Sequence, residues 1–273
     1  MAHVIQVGAG SGGMVVLDLL AHDPRIHKLT LIEPDVFKPH NAERHYFPAT
    51  CAGRLKVQLA AQWLHERRAD LLVETLPWDI LDPQIQADLA ERVAEADLGV
   101  CAVDNEAAKF CFDSLMRRQR KPWTLGEVLS GGIGGFVHRF VPDGPCYGCV
   151  ASYLQRSVEA EKPRTDYADP AGAQAALRIP ANKAAIFAIA SWHALLTLQL
   201  LDPSADRCST TLLVALQKVD GIFDEAPRVH RFCVPRLETC LLCGPPSQSE
   251  MPARADDLDR ALHEALSRLE HPG

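Results

Sequence analysis

Two Cys-x-x-Cys pairs, Cys146/Cys149 and Cys240/Cys243, stand in distant parts of the chain. Four thiolates in two chelating pairs match a tetrahedral structural zinc site, which uses four soft ligands and leaves no open position. The glycine within or just after each pair is expected to allow a tight turn that brings both sulfurs onto one metal. The alternatives are a redox dithiol or unrelated surface cysteines, although a redox pair normally stands alone near a helix start. The pattern favours zinc.

A glycine-rich turn follows the first predicted strand. Residues 3–7 are expected to form a short buried strand and residues 14–20 a helix, with a G-x-G-x-x-G motif between them. In a Rossmann phosphate-binding turn the first glycine makes the turn, the second admits phosphate, and the third lets the helix pack on the sheet. The alternative is a glycine turn without a ligand. The candidate nucleotide-binding residues here are Gly8, Gly10, Gly12 and Gly13.

Acidic and basic residues follow the second predicted strand, residues 28–32. Glu33 comes about 20 residues after the glycine motif, the spacing of an acid that binds ribose hydroxyls. Asp35, Asn41, Arg44 and Lys56 come next, and Lys56 opens a predicted amphipathic helix. Arg and Lys neutralise a triphosphate and Asn donates to its oxygens, whereas a redox dinucleotide does not need this set. Each could alone be a solvated surface group, but together they favour a phosphate pocket.

A third strand, predicted over residues 96–103, ends in Asp104 and Asn105. A carboxylate at the carboxyl end of a parallel strand lies in the crevice where such sheets bind ligands. Beside a triphosphate, the expected role of Asp104 is to hold Mg²⁺. The alternative is an N-cap for the helix predicted over residues 106–118. The two residues could also divide these roles.

Composition narrows the class of protein. The chain has 273 residues, of which 47% are hydrophobic, enough for the core of one large α/β domain or two small ones. A net charge of −7 argues against nonspecific nucleic-acid binding. The start of the sequence runs directly into a strand, so no signal peptide is expected, and nine cysteines then point to a reducing compartment. We expect a cytoplasmic protein.

The most apolar stretch spans residues 184–201. It contains Ser191, His193, Thr197 and Gln199, so we expect a helix in the core or at a subunit interface rather than a membrane span. Residues 256–269 predict an amphipathic terminal helix, because their leucines recur at helical spacing.

The ordered set of motifs resembles the ThiF/MoeB-type adenylyltransferases, the bacterial relatives of the ubiquitin-activating enzymes. The resemblance extends over residues 3–244, and residues 131–137 are similar to the family's crossing strand before its zinc ligands. The motifs that carry it are, in chain order, residues 29–35, Asn41-x-x-Arg44, Lys56, Asp104-Asn105 and the two Cys-x-x-Cys pairs.

The resemblance implies a fold and a reaction. The fold is an α/β domain over residues 1–244: a Rossmann-like doubly wound mixed sheet with a C-terminal antiparallel extension and a structural zinc site, followed by the tail 245–273. The reaction joins MgATP to the C-terminal carboxylate of a small β-grasp ubiquitin-like or sulfur-carrier protein, giving an acyl-adenylate and pyrophosphate. Glu33 would bind the ribose, Asn41, Arg44 and Lys56 the phosphates, and Asp104 the Mg²⁺. We expect a homodimer, with neither nucleic acid nor membrane as partner.

The chain departs from the family pattern at two positions of the ATP site. Family members often begin with a helical extension whose arginine reaches the partner subunit's ATP, whereas this sequence starts at the first strand. Arg25, Arg54 or a separate protein are candidate substitutes. The ribose acid is Glu33, where aspartate is more usual, and its longer side chain should still reach.

A third departure concerns a thioester. Ubiquitin-activating members carry a catalytic cysteine downstream of the first zinc pair, but residues 151–201 contain no cysteine. The polar, proline-interrupted residues 159–166 predict a crossover loop. We therefore expect adenylation without a thioester at the usual position. Cys51, in a loop near Lys56, is the best-placed alternative nucleophile, and Cys101 and Cys111 are expected in the core.

Two other functions stay open at this point. An NAD-dependent Rossmann oxidoreductase would share the glycine turn and Glu33, but it leaves Asn41, Arg44, Lys56 and the zinc motif unexplained. A non-catalytic subunit of a heterodimeric activating complex is the second alternative. The intact set of Arg44, Lys56 and Asp104 argues against it.

Overall fold

The computed structural model describes residues 1–154, 181–202, 204 and 209–244. The chain divides into two compact units, Met1–Arg236 and Leu237–Gly273. The predicted crossover loop and the predicted terminal helix lie outside the described residues. The predicted domain boundary between residues 244 and 245 therefore stays a prediction.

One mixed sheet of eight strands forms the centre of the first unit. The strands are β1 (Ala2–Val7), β2 (Ile26–Ile32), β3 (Leu72–Leu76), β4 (Leu98–Cys101), β5 (Trp123–Val128), β6 (Gly134–Phe140), β7 (Thr211–Ala215) and β8 (Arg228–Phe232). Their order in the sheet is β3-β2-β1-β4-β5-β6-β7-β8. The first five strands pair in parallel and the last three join antiparallel. The expected doubly wound mixed sheet with an antiparallel extension is confirmed.

Helices cover both faces of the parallel strands. They are α1 (Ser11–Ala21), α2 (Lys56–His65), α3 (Gln86–Glu95), α4 (Glu106–Arg118), α5 (Tyr147–Tyr153) and α6 (Lys183–Leu200). Neighbouring residues of β1 point to opposite faces: Val4 belongs to the core that includes α1 and α2, and Ile5 to the core that includes α3 and α4. This alternation buries both faces of the strand, and all six residues of β1 are buried.

Helix α6 is the apolar helix expected in the core or at an interface. Its length and mean hydropathy of 1.3 would by themselves allow a membrane span, but half of it is buried inside the protein. It packs against α1, β5 and β6, and Ala190 and Ala194 lie in the core shared with α1. Trp192 and Leu195 stay partly exposed. These contacts support the interpretation as a core helix.

The sequence patterns misplaced two strands and missed other elements. Pairing in β4 covers only Leu98–Cys101 of the predicted residues 96–103. Residues 131–137 do not form one strand, since Ser130–Gly132 is a short 3-10 turn in which Gly131 and Gly132 have φ of 73° and 68°. Strand β3 and helix α3 were not predicted. Strand β3 is an edge strand that is only partly buried, and it lacks a clear apolar alternation.

Candidate functional site

The predicted nucleotide-binding residues meet at one edge of the sheet. Strand β1 lies between β2 and β4, so the chain turns to one side after β1 and later returns to the other side. Ligands of open α/β sheets bind at such a switch point, outside the carboxyl ends of the strands. The glycine turn follows β1, Glu33 follows β2 and Asp104 comes three residues after β4. The structure thus brings these three motifs to the same edge.

The glycines of the turn differ in how much space a side chain would have at each position. Gly8 has φ of +95°, and a Cβ built on it would lie 2.4 Å from the carbonyl oxygen of Ala102. A Cβ on Gly13 would lie 2.3 Å from the carbonyl oxygen of Gly8. A Cβ on Gly12 would lie at ordinary contact distance from Ile186 on α6, at 3.7 Å. A Cβ on Gly10 would meet no protein atom within 4 Å among the described residues. Protein packing therefore explains Gly8 and Gly13, and leaves room for a ligand at Gly10.

Helix α1 begins directly after this turn. Gly10 is its N-cap and provides no side-chain cap, and the first turn contains no acidic residue. The first helical hydrogen bond runs from the Met14 N–H to the Gly10 carbonyl oxygen, at 2.9 Å. The amide N–H groups at a helix start lack partners within the helix and carry the positive end of its dipole. This end of α1 suits an anionic phosphate.

Glu33 is buried and supports the glycine turn. Its Oε2 accepts a hydrogen bond from the Ala9 N–H at 2.9 Å and its Oε1 accepts one from the Asp35 N–H at 3.1 Å. Burial raises the pKa of Glu33, and the nearby Lys56 ammonium partly opposes that shift. The predicted ribose acid is therefore also a structural brace between the turns that follow β1 and β2.

Lys56 begins α2, as predicted, and points to the same region. Its N–H donates to the Asp35 carbonyl oxygen at 2.9 Å. Its ammonium lies 2.8 Å from Asp35 Oδ2, and only 12% of its side chain is exposed. This arrangement fixes the cation on a rigid helical turn beside the turn that follows β2.

Asn41 and Arg44 lie on the short 3-10 helix Pro39–Glu43 and directly after it. Asn41 Oδ1 accepts a hydrogen bond from the Lys38 N–H at 2.9 Å and so caps that helix. This cap leaves the amide nitrogen of Asn41 for another acceptor. The Arg44 guanidinium makes no hydrogen bond or ion pair in the described part of the chain.

Asp104 and Asn105 divide the two roles considered for them. Asn105 is the N-cap of α4, and its Oδ1 accepts a hydrogen bond from the Ala108 N–H at 2.9 Å. That oxygen is thus engaged by the protein. Asp104 is exposed at the carboxyl edge of the sheet. A carboxylate in this position has the oxygen ligands that Mg²⁺ prefers.

Two polar residues of the site were missed at the level of sequence. Gln6, buried in β1, donates from Nε2 to the carbonyl oxygens of Gly8 and Gly13, both at 2.9 Å. His45 is buried, and its Nε2 lies 3.0 Å from the Ala9 carbonyl oxygen. Burial lowers the pKa of His45 to about 4. Gln6 could have been found from the sequence, because a glutamine inside an otherwise apolar strand is unusual. His45, which follows Arg44, had no such feature in the sequence.

The two residues considered as substitutes for the family's partner arginine, Arg25 and Arg54, lie away from the glycine turn. Arg25 forms a two-point ion pair with Asp23, at 2.9 and 2.7 Å, at the amino end of β2. That end is opposite the edge with the glycine turn. Arg54 donates to Gln62 Oε1 at 2.9 Å on the exposed side of α2.

The cysteines of the two Cys-x-x-Cys pairs lie in different units of the chain, Cys146 and Cys149 in the first and Cys240 and Cys243 in the second. The sulfur atoms of Cys146 and Cys149 are 3.8 Å apart. This distance matches the edge of about 3.8 Å of a tetrahedron with zinc–sulfur bonds of about 2.3 Å. The first pair therefore fits two of the four ligand positions of zinc.

The expected turn at the first pair was wrong. Cys146 is the N-cap of α5, and Cys149 lies in the first turn of that helix. Positions three apart on a helix face the same side, so the helix itself brings the two sulfurs together. Gly148 is a helical residue there. Of the other cysteines, Cys51 and Cys111 are half-buried, Cys101 is buried and Cys233 is exposed. Cys208 lies outside the described residues.

Comparison with known proteins identifies relatives over most of the chain. The family model described as ThiF family matches residues 1–238. Ubiquitin-like modifier-activating enzyme 5 of Rattus norvegicus is 26% identical over 165 residues, which are 57% of this chain and 41% of that protein. The SAMP-activating enzyme E1 of Haloferax volcanii is 27% identical over 150 residues, which are 55% of this chain and 53% of that protein. The aligned parts thus cover about half of these curated relatives or less.

Solved structures share the fold. E. coli MccB in complex with MccA-N7isoASN superposes with a TM-score of 0.68 at 19% identity, covering 89% of this chain and 67% of MccB. MccB with ATP gives the same TM-score at 18% identity, with the same coverage. At this identity the similarity establishes the fold alone.

Proposed function

The chain belongs to the ThiF family, and on that premise we propose that it is an adenylyltransferase that activates the C-terminal carboxylate of a small ubiquitin-like or sulfur-carrier protein. A carboxylate oxygen of the carrier attacks the α-phosphorus of ATP, the bond to the bridging oxygen breaks, and pyrophosphate leaves with that oxygen. The names of the two curated relatives, one for a ubiquitin-like modifier and one for SAMP, support this class of substrate.

One observation carries the proposal: Lys56 is held on the first turn of α2, 2.8 Å from Asp35, at the edge that contains the glycine turn. A nicotinamide dinucleotide has no need of a fixed cation here, whereas a triphosphate does. The carrier carboxylate and the phosphates repel each other until cations screen their charge. Catalysis would then be placement and charge neutralisation, with no general base, because the attacking carboxylate is already ionised at neutral pH.

We assign the other site residues by their positions. Gly10 and the start of α1 would approach the phosphates, while Asn41 and Arg44 would donate to them. Asp104 would hold the Mg²⁺ that screens the triphosphate. If Glu33 binds the ribose, its carboxylate must accept hydrogen bonds from the ribose hydroxyls and from the Ala9 N–H at the same time.

ATP–pyrophosphate exchange tests the proposal directly. The full chain is incubated with labelled pyrophosphate, MgATP and a candidate carrier that ends in Gly-Gly, and label in ATP is measured. Carrier-dependent exchange is expected, and carrier lacking its terminal glycine serves as the control. Hydride transfer to NAD without exchange would overturn the proposal, and exchange only after addition of a second subunit would indicate the non-catalytic role.

The Mg²⁺ role of Asp104 has its own test. Since Asp104 is exposed and Asn105 caps α4, Asp104→Ala should leave the fold unchanged. We expect exchange to fall by about 10²-fold or more, the scale of losing an electrostatic group that acts in the transition state. Normal exchange in this variant would remove Asp104 from the reaction.

We propose that the adenylate is released or consumed without a thioester at residues 151–201, which lack cysteine. Cys51 is half-buried and packs against the core that includes α1 and α2. A Cys51→Ser variant that keeps full activity, with no thiol-sensitive adduct on non-reducing gels, is the expected result. An adduct that disappears with this variant would contradict it.

We also propose that the two Cys-x-x-Cys pairs, Cys146/Cys149 and Cys240/Cys243, together bind one structural Zn²⁺. One equivalent of zinc per chain is expected by elemental analysis, and Cys149→Ser should lower both zinc content and melting temperature. Cys233→Ser, which alters an exposed cysteine, is the matched control. The homodimer and the cytoplasmic location remain predictions. Light scattering measures the mass of the protein in solution and so tests the homodimer. The exposed face of α6 is the candidate contact between the two copies.

A further inference from the structure

Lys183 places a cation next to the glycine turn from a distant part of the sequence. It is the first residue of α6, directly after the N-cap Asn182, whose Oδ1 accepts from the Ala185 N–H at 2.9 Å. The Lys183 ammonium donates to the carbonyl oxygen of His45 at 2.8 Å. The start of α6 is thereby attached to the segment that follows Arg44.

His45 connects this ammonium to the glycine turn. Its ring is buried, and Nε2 lies 3.0 Å from the Ala9 carbonyl oxygen. Burial lowers the pKa of His45, and the charges of Lys56 and Lys183 lower it further. Two short hydrogen bonds, through one residue, thus join Lys183 to the turn.

Among the described residues, no carboxylate pairs with the Lys183 ammonium. The described residues give its ammonium one acceptor, the His45 carbonyl oxygen, and a contact with the Phe187 ring at 5.3 Å. Lys56, in contrast, is paired with Asp35. An ammonium group has three N–H donors, so two of those on Lys183 are available to an anion. An anchored cation with unused donors beside a phosphate-binding turn is suited to hold a phosphate oxygen.

We propose that Lys183 is a further phosphate-binding residue for ATP, acting together with Arg44 and Lys56. The inference rests on the proposed function, because it takes the glycine turn to be the nucleotide site. It adds to that function a cation from α6, so that phosphate is held from both sides of the segment that contains His45.

Lys183→Met tests this inference, because methionine keeps the apolar stem and removes the charge. Binding of ATP and of adenosine to the full chain is measured by competition against a fluorescent nucleotide. We expect ATP affinity to fall about tenfold, which corresponds to about 1.4 kcal/mol, and adenosine affinity to stay unchanged. Lys183→Arg should retain most of the ATP affinity. Lys121→Met, which removes a charge at the amino end of β5, should have no effect.

The outcomes separate the two proposals. If the unaltered chain binds neither nucleotide, the proposed function fails. If it binds ATP and Lys183→Met binds ATP equally well, the inference about Lys183 alone is overturned. Equal losses of ATP and adenosine would show that Lys183 only supports the turn through His45, which also overturns phosphate binding by this residue.

Discussion

The Glu33 carboxylate accepts a hydrogen bond of 2.9 Å from the Ala9 N–H. This contact links the acid after β2 to the glycine turn after β1, across the neighbouring parallel strands. A buried carboxylate is costly to hold in its charged form, which is why burial raises the pKa of Glu33. Two backbone donors, from Ala9 and Asp35, offset part of that cost. The shape of the nucleotide turn therefore depends on this side chain before any ligand binds.

Glu33→Ala should destabilise the free protein as well as weaken ATP binding. Removing the carboxylate leaves two backbone N–H groups without their acceptor, at a cost of about 1–3 kcal/mol each if they stay buried. We expect the free energy of unfolding in urea to fall accordingly. Glu33→Gln, which keeps one acceptor oxygen, should lose less. Unchanged stability combined with weaker ATP binding would assign Glu33 to the ribose alone.

Local sequence patterns were sufficient for the motifs that lie within one element or at its end. The glycine turn, the helix start at Lys56 and the cap of α4 depend on neighbouring residues, and each lies where its pattern placed it. The contacts of Glu33 and His45 depend on strands and loops that meet only in the folded chain. No local pattern encodes a hydrogen bond such as that of Lys183 to His45, whose partners are 138 positions apart.

Lys109 forms a buried ion pair that connects α4 to β5. Its ammonium lies 2.6 Å from both Glu106 Oε1 and Glu127 Oε1, and 5% of its side chain is exposed. Burial alone would lower the pKa of Lys109, but the carboxylates of Glu127 and Glu106 outweigh burial and raise it. Glu106 also accepts a hydrogen bond from the Tyr147 hydroxyl at 2.7 Å. The start of α4, just after Asp104, is thereby fixed to α5.

Lys109→Met should lower the free energy of unfolding by about 3–5 kcal/mol, because it removes the ammonium from the largely buried carboxylate of Glu127, which His138 Nε2 also contacts at 3.0 Å. The double variant Lys109→Met/Glu127→Gln removes the uncompensated charge and should recover part of that loss. Urea denaturation of the two variants and the unaltered protein gives the comparison. A double variant less stable than Lys109→Met would contradict this account.

Stability should fall as the pH falls from 6.5 towards 4, with His193 as one cause. Burial lowers the pKa of His193 from 6.5 to about 4. Between these values the unfolded chain binds a proton at His193 and the folded chain does not, so the stability present above pH 6.5 is lost as the pH falls. His45 acts in the same direction. Each buried histidine can contribute a slope of up to about 1.4 kcal/mol per pH unit.

His193→Gln isolates one of these contributions. His193 Nε2 lies 2.9 Å from Thr124 Oγ1, and the amide of glutamine can donate to the same oxygen without titrating. The free energy of unfolding, measured at several pH values from 7.5 to 5, should depend less steeply on pH in this variant. His22→Gln, at a mostly exposed side chain, should keep the original slope. Equal slopes in all three proteins would exclude His193 as a cause.

Two alanine substitutions in the glycine turn should separate folding from nucleotide binding. Gly10 has φ of −72°, which alanine readily adopts, and a Cβ there meets no described protein atom within 4 Å. Gly10→Ala should therefore keep or slightly raise stability, by up to about 1 kcal/mol, while the added methyl group occupies space that a phosphate would use. We expect ATP affinity to fall at least about tenfold.

Gly13→Ala should mainly lower the stability of the protein, in contrast to Gly10→Ala, which should mainly lower ATP affinity. Its Cβ would lie 2.3 Å from the Gly8 carbonyl oxygen, which is backbone and can move only if the turn opens. We expect a loss of about 1–3 kcal/mol in the free energy of unfolding, as for other overpacked sites. Thermal melting and ATP titration give the melting temperature and the ATP affinity of each variant. If Gly10→Ala binds ATP normally, the open space at Gly10 does not receive phosphate, and the nucleotide must approach the sheet edge elsewhere.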